Sequence, residues 1–273
     1  MPFRHAPLLV SLLLPLIVVG FWPNYFGNLR GASFALHAHG LTATVWIALV
    51  AAQGWSAQRR DRLVVHRAAG LAVFVVVPLF AAGGLLAIRG VIGLGLAEVS
   101  PFHARYGVTL ALVDLVTVTG FVGLVVAALV ERRRVWSHAA YMLSTVMLVL
   151  PPIFGRLLPM TPGYPIPGVA GFTLAFYVAQ LGAAAALLFL ARLYPRSKRP
   201  FMASAALLIV STALFDTAGR SAWWREIATA LASVPAPALA AIGVAASAAS
   251  LWWAWGRRAV AVAARPLTPV GSA

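Results

Sequence analysis

The chain has 273 residues, of which 62% are hydrophobic and only 10% charged. Soluble domains carry about 25% charged residues, and disordered chains are poor in apolar ones; both classes are excluded, and an all-α polytopic membrane bundle is the expected fold. The net charge of +15 comes from 21 Lys+Arg against 6 Asp+Glu, and the chain has no cysteine, which removes disulfides, thiolate metal sites and cysteine nucleophiles.

About 20 apolar residues in a helix cross a bilayer core of roughly 30 Å. Eight such runs are expected, near residues 6–22, 33–55, 67–88, 102–129, 135–158, 168–193, 201–215 and 237–255. The first follows the basic start MPFRH. It has no small-residue cleavage site before FWPNYF, so it reads as a retained span rather than a signal peptide. A glycine-rich stretch, RGVIGLGLAEVSP, reads as the connection after the third run, and MTPGYPIPG as the one after the fifth. The seventh run is short. Between the last two runs, Trp223, Ile227 and Leu231 recur at helical spacing, which predicts a surface helix over 221–233 anchored by Trp223 and Trp224. Residues 1–258 therefore form one integral membrane domain, and 259–273 a short tail.

Lys and Arg favour the cytoplasmic side of membrane proteins. With the N-terminus inside, the inner connections hold Arg4, the Arg59–Arg67 group, Arg132 to Arg134, the Arg192–Arg199 group, and Arg257, Arg258 and Arg265. The outer side keeps only Arg30, Arg89, Arg105, Arg156, Arg220 and Arg225. This pattern predicts both termini in the cytoplasm and a multi-pass protein of a bacterial inner membrane. It also accounts for the charge without nucleic acid. The expected partners are the bilayer and its anionic headgroups at the cytoplasmic face.

Polar groups inside a membrane are costly to keep, so they point to function. His37, His39 and His103 fall toward the outer face, and His66 and His138 toward the inner face, all on four consecutive spans. Imidazole is the usual nitrogen ligand of haem iron, zinc and copper. In a four-helix frame, His39 or His37 with His103, and His66 with His138, form two candidate pairs. His37 and His39 are about 200° apart on a helix and cannot serve one site. His39 shares a seam with Trp46 and Gln53 at steps of seven, so it is the preferred ligand. Equally, histidines at span ends bond headgroups, caps and loop carbonyls without any further role.

Asp114 is the only carboxylate deep inside a predicted span, about 16 Å below His103 on nearly the same face. Its candidate partners are Arg156, Arg89, Thr117 and Tyr106. It is either a proton relay or cation site, or an interhelical hydrogen bond. Arg156 follows Pro151-Pro152, which should kink the fifth span; Pro78 should kink the third. Five full turns separate His138 and Arg156, so a continuous helix puts both on one face. Together His37, His39, Gln53, His103, Arg105, Asp114 and Arg156 outline an outward-facing polar cavity and proton path; the alternative for Arg156 is snorkelling to outer headgroups. No P-loop, HExxH or GxSxG motif is present. No catalytic residue and no separate metal site is assigned.

The run HAHGLTATVWIALVAAQ, then HRAAG at 66–70, then SHAAYMLSTVMLVLPPIFGR, resembles a bacterial family of predicted multi-span membrane proteins of unknown function. The likeness covers about Phe34 to Arg156 and implies architecture and a residue pattern, not a chemistry. A more distant similarity is to the di-haem transmembrane cytochromes b that act as ascorbate-dependent ferric reductases. It implies haem b held by His39 with His103 and by His66 with His138. Three readings of function stand: a b-type haem electron-transfer protein, a proton-coupled transporter or small-molecule-binding protein using the outer cavity, and a structural or sensory subunit.

Overall fold

The computed structural model describes residues 2–263, with side chains as far as Arg257. Among these residues there is no strand. The helices are α1 (Ala6–Ser11), α2 (Leu13–Phe21), α3 (Phe34–Ala57), α4 (Leu63–Gly70), α5 (Val73–Leu96), α6 (Pro101–Val130), α7 (Val135–Met147), α8 (Leu150–Leu157), α9 (Gly168–Leu193), α10 (Lys198–Asp216), α11 (Ala222–Ser233) and α12 (Ala236–Ala263). Seven stretches are long and apolar enough to cross a membrane: α3, α5, α6, Val135–Met160, α9, Pro195–Arg220 and Ala236–Arg257. The apolar run Ala6–Phe21 falls short of that length. It reaches only about 24 Å as a helix, and a tight turn at Leu12 divides it. The short seventh run of the sequence is a full-length helix, and the surface helix forms at Ala222–Ser233.

The outside of the bundle is as oily as its core. Phe34 is 78% exposed and Trp252 73%, and many more large apolar side chains line the perimeter. In water such a surface would aggregate; against acyl chains it is at equilibrium. The chain is a multi-pass α-helical membrane protein.

Lipid removes the hydrophobic drive between helices, so close packing must hold them. Small residues permit it. A Cβ on Gly107 would lie 2.7 Å from the Gly95 Cα, so α5 and α6 cross backbone to backbone there. A Cβ on Gly83 would lie 2.9 Å from the His39 nitrogen, which sets α3 equally close to α5. The glycine-rich stretch 90–95 is thus not a connection. It continues α5 to Leu96, because a bilayer offers no water to satisfy an unwound backbone. Where contact is loose, aromatic rings fill the space: Trp46, Phe80 and Phe121 pack with centroids 5.0 and 4.2 Å apart.

Two helix breaks position polar groups. α5 runs unbroken through Pro78, and the interruption falls earlier, at Leu71–Ala72. This leaves His66 on the separate, mostly exposed α4. The second break falls as the proline pair predicts: α7 stops at Met147 and α8 starts at Leu150, with both prolines in its first turn. The lost register means that the five-turn argument linking Arg156 to His138 does not hold. Ser33, Ser100 and Ser221 cap α3, α6 and α11 by accepting from Leu36, His103 and Trp224 N–H groups. On α11 it is Trp224 that turns inward, its indole donating to the Val108 carbonyl at 2.8 Å, while Trp223 stays exposed.

Candidate functional site: the surroundings of Asp114

Asp114 lies thirteen residues from the start of α6 and sixteen from its end, so about 20 Å or more from either. Its side chain is exposed at the side of α6, at mid-helix. Among the described residues Asp114 makes no hydrogen bond and no ion pair; Arg134–Glu131 and Arg220–Asp216 do pair, both at 3.2 Å and at the surface.

The charge that acts on Asp114 is that of Arg156 on α8. The two are within electrostatic reach but farther apart than the 4.0 Å of an ion pair. The guanidinium lies 4.3 Å over the ring of Phe21 on α2 and donates to the Pro152 carbonyl at 2.9 Å. One face of Arg156 is therefore fixed by an aromatic plane. Only one of its five N–H donors is engaged in a protein hydrogen bond, so the rest remain for a ligand. Next to it, a Cβ on buried Gly155 would meet open space.

His39 on α3 completes the group. Arg156 acts on it electrostatically as well. Its ring packs 5.3 Å from Phe80, and its buried Nδ1 has no hydrogen-bond partner. Trp46 and Gln53, one and two heptads along, are buried as the seam predicts. The Trp46 indole donates to the Thr145 hydroxyl at 3.0 Å, tying α3 to α7.

The other sequence candidates lie elsewhere. His37 faces away from His39, and its Nδ1 is hydrogen-bonded to the Tyr25 hydroxyl at 2.9 Å. His103 sits in the first turn of α6, where its Nδ1 is 2.8 Å from the capping Ser100 hydroxyl. His39 is level with Gly84 and Val118. That level is fifteen residues below His103, or about 22 Å. Two imidazoles so far apart along the bundle cannot hold one iron, so the expected His39–His103 haem pair is not formed. Arg105 is exposed over Tyr106, 5.6 Å from its ring, and does not reach Asp114. Arg89 donates to the Val234 carbonyl, Thr117 to Val113, and Tyr106 to Val169 and toward Thr173. Of the four candidate partners of Asp114, Arg156 alone remains.

The inner pair is different. His138 feels the charge of His66. The His138 Nδ1–H donates to the Ala128 carbonyl at 2.9 Å, and the His66 Nδ1 lies 3.2 Å from the Gln53 carbonyl. The Gln53 amide clamps α4 in turn, its nitrogen donating to the His66 carbonyl (3.0 Å) and its oxygen accepting from Gly70 N–H (2.8 Å). With its Nδ1–H so engaged, the His138 Nε2 keeps its lone pair, the orientation that metal-bound histidines adopt, whereas the His66 Nδ1 faces both the Gln53 carbonyl and the Gln53 amide nitrogen. No group of three or more His, Cys, Asp and Glu converges among the described residues.

Phe21, Gly83 and Gly155 also shape the site, and sequence reading passed over them. Only the fold brings Phe21 to Arg156. No family model, curated protein or solved structure matches the chain.

Proposed function

We propose that this protein is a transporter or small-molecule-binding protein of the bacterial cytoplasmic membrane. Its substrate site is formed by His39, Asp114 and Arg156, and Asp114 carries a proton during the cycle. The observation that supports this most is the unpaired Asp114 carboxyl, held at mid-helix with Arg156 near but not bonded to it. A structural salt bridge would close that gap, because an uncompensated charge in a membrane is strongly unfavourable. A gap lined by a carboxyl, a guanidinium and an imidazole suits a small ionisable solute carrying a carboxylate or phosphate, with Arg156 as its anchor. The break before α8 fits the same reading, since transporters build midplane sites from interrupted helices.

In this proposal the short Ala6–Phe21 segment is an eighth, thin crossing, and both termini face the cytoplasm. The test is uptake into proteoliposomes under an inward proton gradient, using a panel of labelled small carboxylates and inorganic phosphate. Asp114→Asn is expected to abolish gradient-driven uptake while leaving folding intact. Uptake by Asp114→Asn equal to wild type would overturn the proposal.

A second reading is supported by the inner histidines. The His138 Nδ1–H is satisfied by a carbonyl, its Nε2 is free, and His66 lies within its electrostatic reach, so His138 with His66 suits the axial positions of one haem b. Protein purified after haem supplementation would then show a Soret band that His138→Ala removes; without such a band this reading fails.

A further inference from the structure

A cavity of about 630 Å³ opens between α5, α6 and α12, apart from the Asp114 site. Leu85, Val122, Gly123, Gly243, Ser247 and Trp253 are among the residues that line it. The lining is mostly hydrocarbon, and both of its serine hydroxyls are turned to the backbone. Ser247 donates to the Gly243 carbonyl and Ser250 to the Ala246 carbonyl, at 2.5 and 2.7 Å. From Ile242 to Trp253 the wall on α12 is about 16 Å long, roughly half the thickness of a bilayer core. All three bounding helices are membrane spans, so the medium at its mouth is lipid.

One end of the cavity is not apolar. The Arg257 guanidinium lies 4.5 Å over the ring of Trp253, and Arg257 itself is exposed. Arg132 braces this end by donating to the Ala254 and Trp255 carbonyls. The neighbouring Glu131 carboxylate is taken by Arg134 at 3.2 Å, so it does not neutralise Arg257. A tryptophan with a cation at the end of an oily slot of half-bilayer length matches a phospholipid: acyl chain in the slot, glycerol at the indole, phosphate at the guanidinium.

We infer that the slot between α5, α6 and α12 seats one anionic phospholipid, with Arg257 and Trp253 holding its headgroup. The test uses the full chain in nanodiscs of equal phosphatidylglycerol and phosphatidylcholine, followed by detergent extraction and native mass spectrometry. Wild type is expected to retain one phosphatidylglycerol. Arg257→Gln is expected to lower the preference for that lipid over phosphatidylcholine roughly fivefold. A Cβ on Gly123 meets no atom within 4 Å, so Gly123→Phe can enter the slot and is expected to abolish retention. Gly123→Leu serves the same purpose if the larger ring impairs folding. Undiminished retention in the Gly123 variants, or an unchanged preference in Arg257→Gln, would overturn the assignment. So would a delipidated wild-type dimer that Gly123→Phe converts to monomer, because the slot would then hold a second copy of the chain.

Discussion

The residues that matter most are those whose polar atoms are accounted for, and the few that are not. Trp46 is 1% exposed and gives its one N–H to Thr145, whose hydroxyl passes on to the Met142 carbonyl. In a bilayer such a bond contributes about 0.6 kcal/mol on average, because the separated helices also find partners. A double-mutant cycle of Trp46→Phe and Thr145→Val, read by unfolding in mixed detergent, is therefore expected to give a coupling of about 0.5–1.5 kcal/mol. Zero coupling would mean the contact is packing alone. His39, Asp114 and Arg156 form the contrasting set, with electrostatic interaction but no ion pair. Asp114 and Arg156 stand out in the sequence, because a charge in an apolar run must be explained. Which arginine would meet Asp114 was not legible there, because that depends on how α8 turns after its prolines. The His39–His103 pairing failed for a related reason: position along a chain gives depth only after the helix ends are known.

Among the elements, the glycines divide into two kinds that look alike in sequence. Gly93 faces open space on α5, whereas Gly107 on α6 touches the α5 backbone at Gly95. Gly93→Ala is expected to stabilise the protein by roughly 0.5–1 kcal/mol through helix propensity. Gly107→Ala is expected to destabilise it by about 1–3 kcal/mol, since two backbones must separate. Thermal unfolding in one detergent compares them; equal effects would refute the close crossing. Span positions followed well from hydropathy, because membrane helices need a continuous apolar length. Their ends followed less well. The run read as 67–88 is displaced to 73–96, because the same apolar glycines satisfy either a loop or a helix and only the absence of water decides between them.

For the whole molecule, fold class was open to composition alone, while the site depended on how spans far apart in sequence converge. The charge asymmetry gives a topology that the chain is well suited to test, because it contains no cysteine. An impermeant maleimide is expected to label Gly163→Cys in intact cells and Arg133→Cys only after the membrane is opened. The reverse pattern would invert the topology.

The break between α7 and α8 has a mechanical consequence. α8 packs mainly on α9 and α2, with Gly20 of α2 set against Ile153 and Leu157, and only lightly on α7. The guanidinium and the carboxyl thus ride on different helices, one on α8 and one on α6, and α8 reaches α6 mainly through its neighbours. Small sliding between those helices would open or close the gap between them, like the jaws of a vice, without unwinding a helix. Spin labels on α6 and α9 whose separation stayed fixed on adding a transported solute would show instead that the jaws are welded.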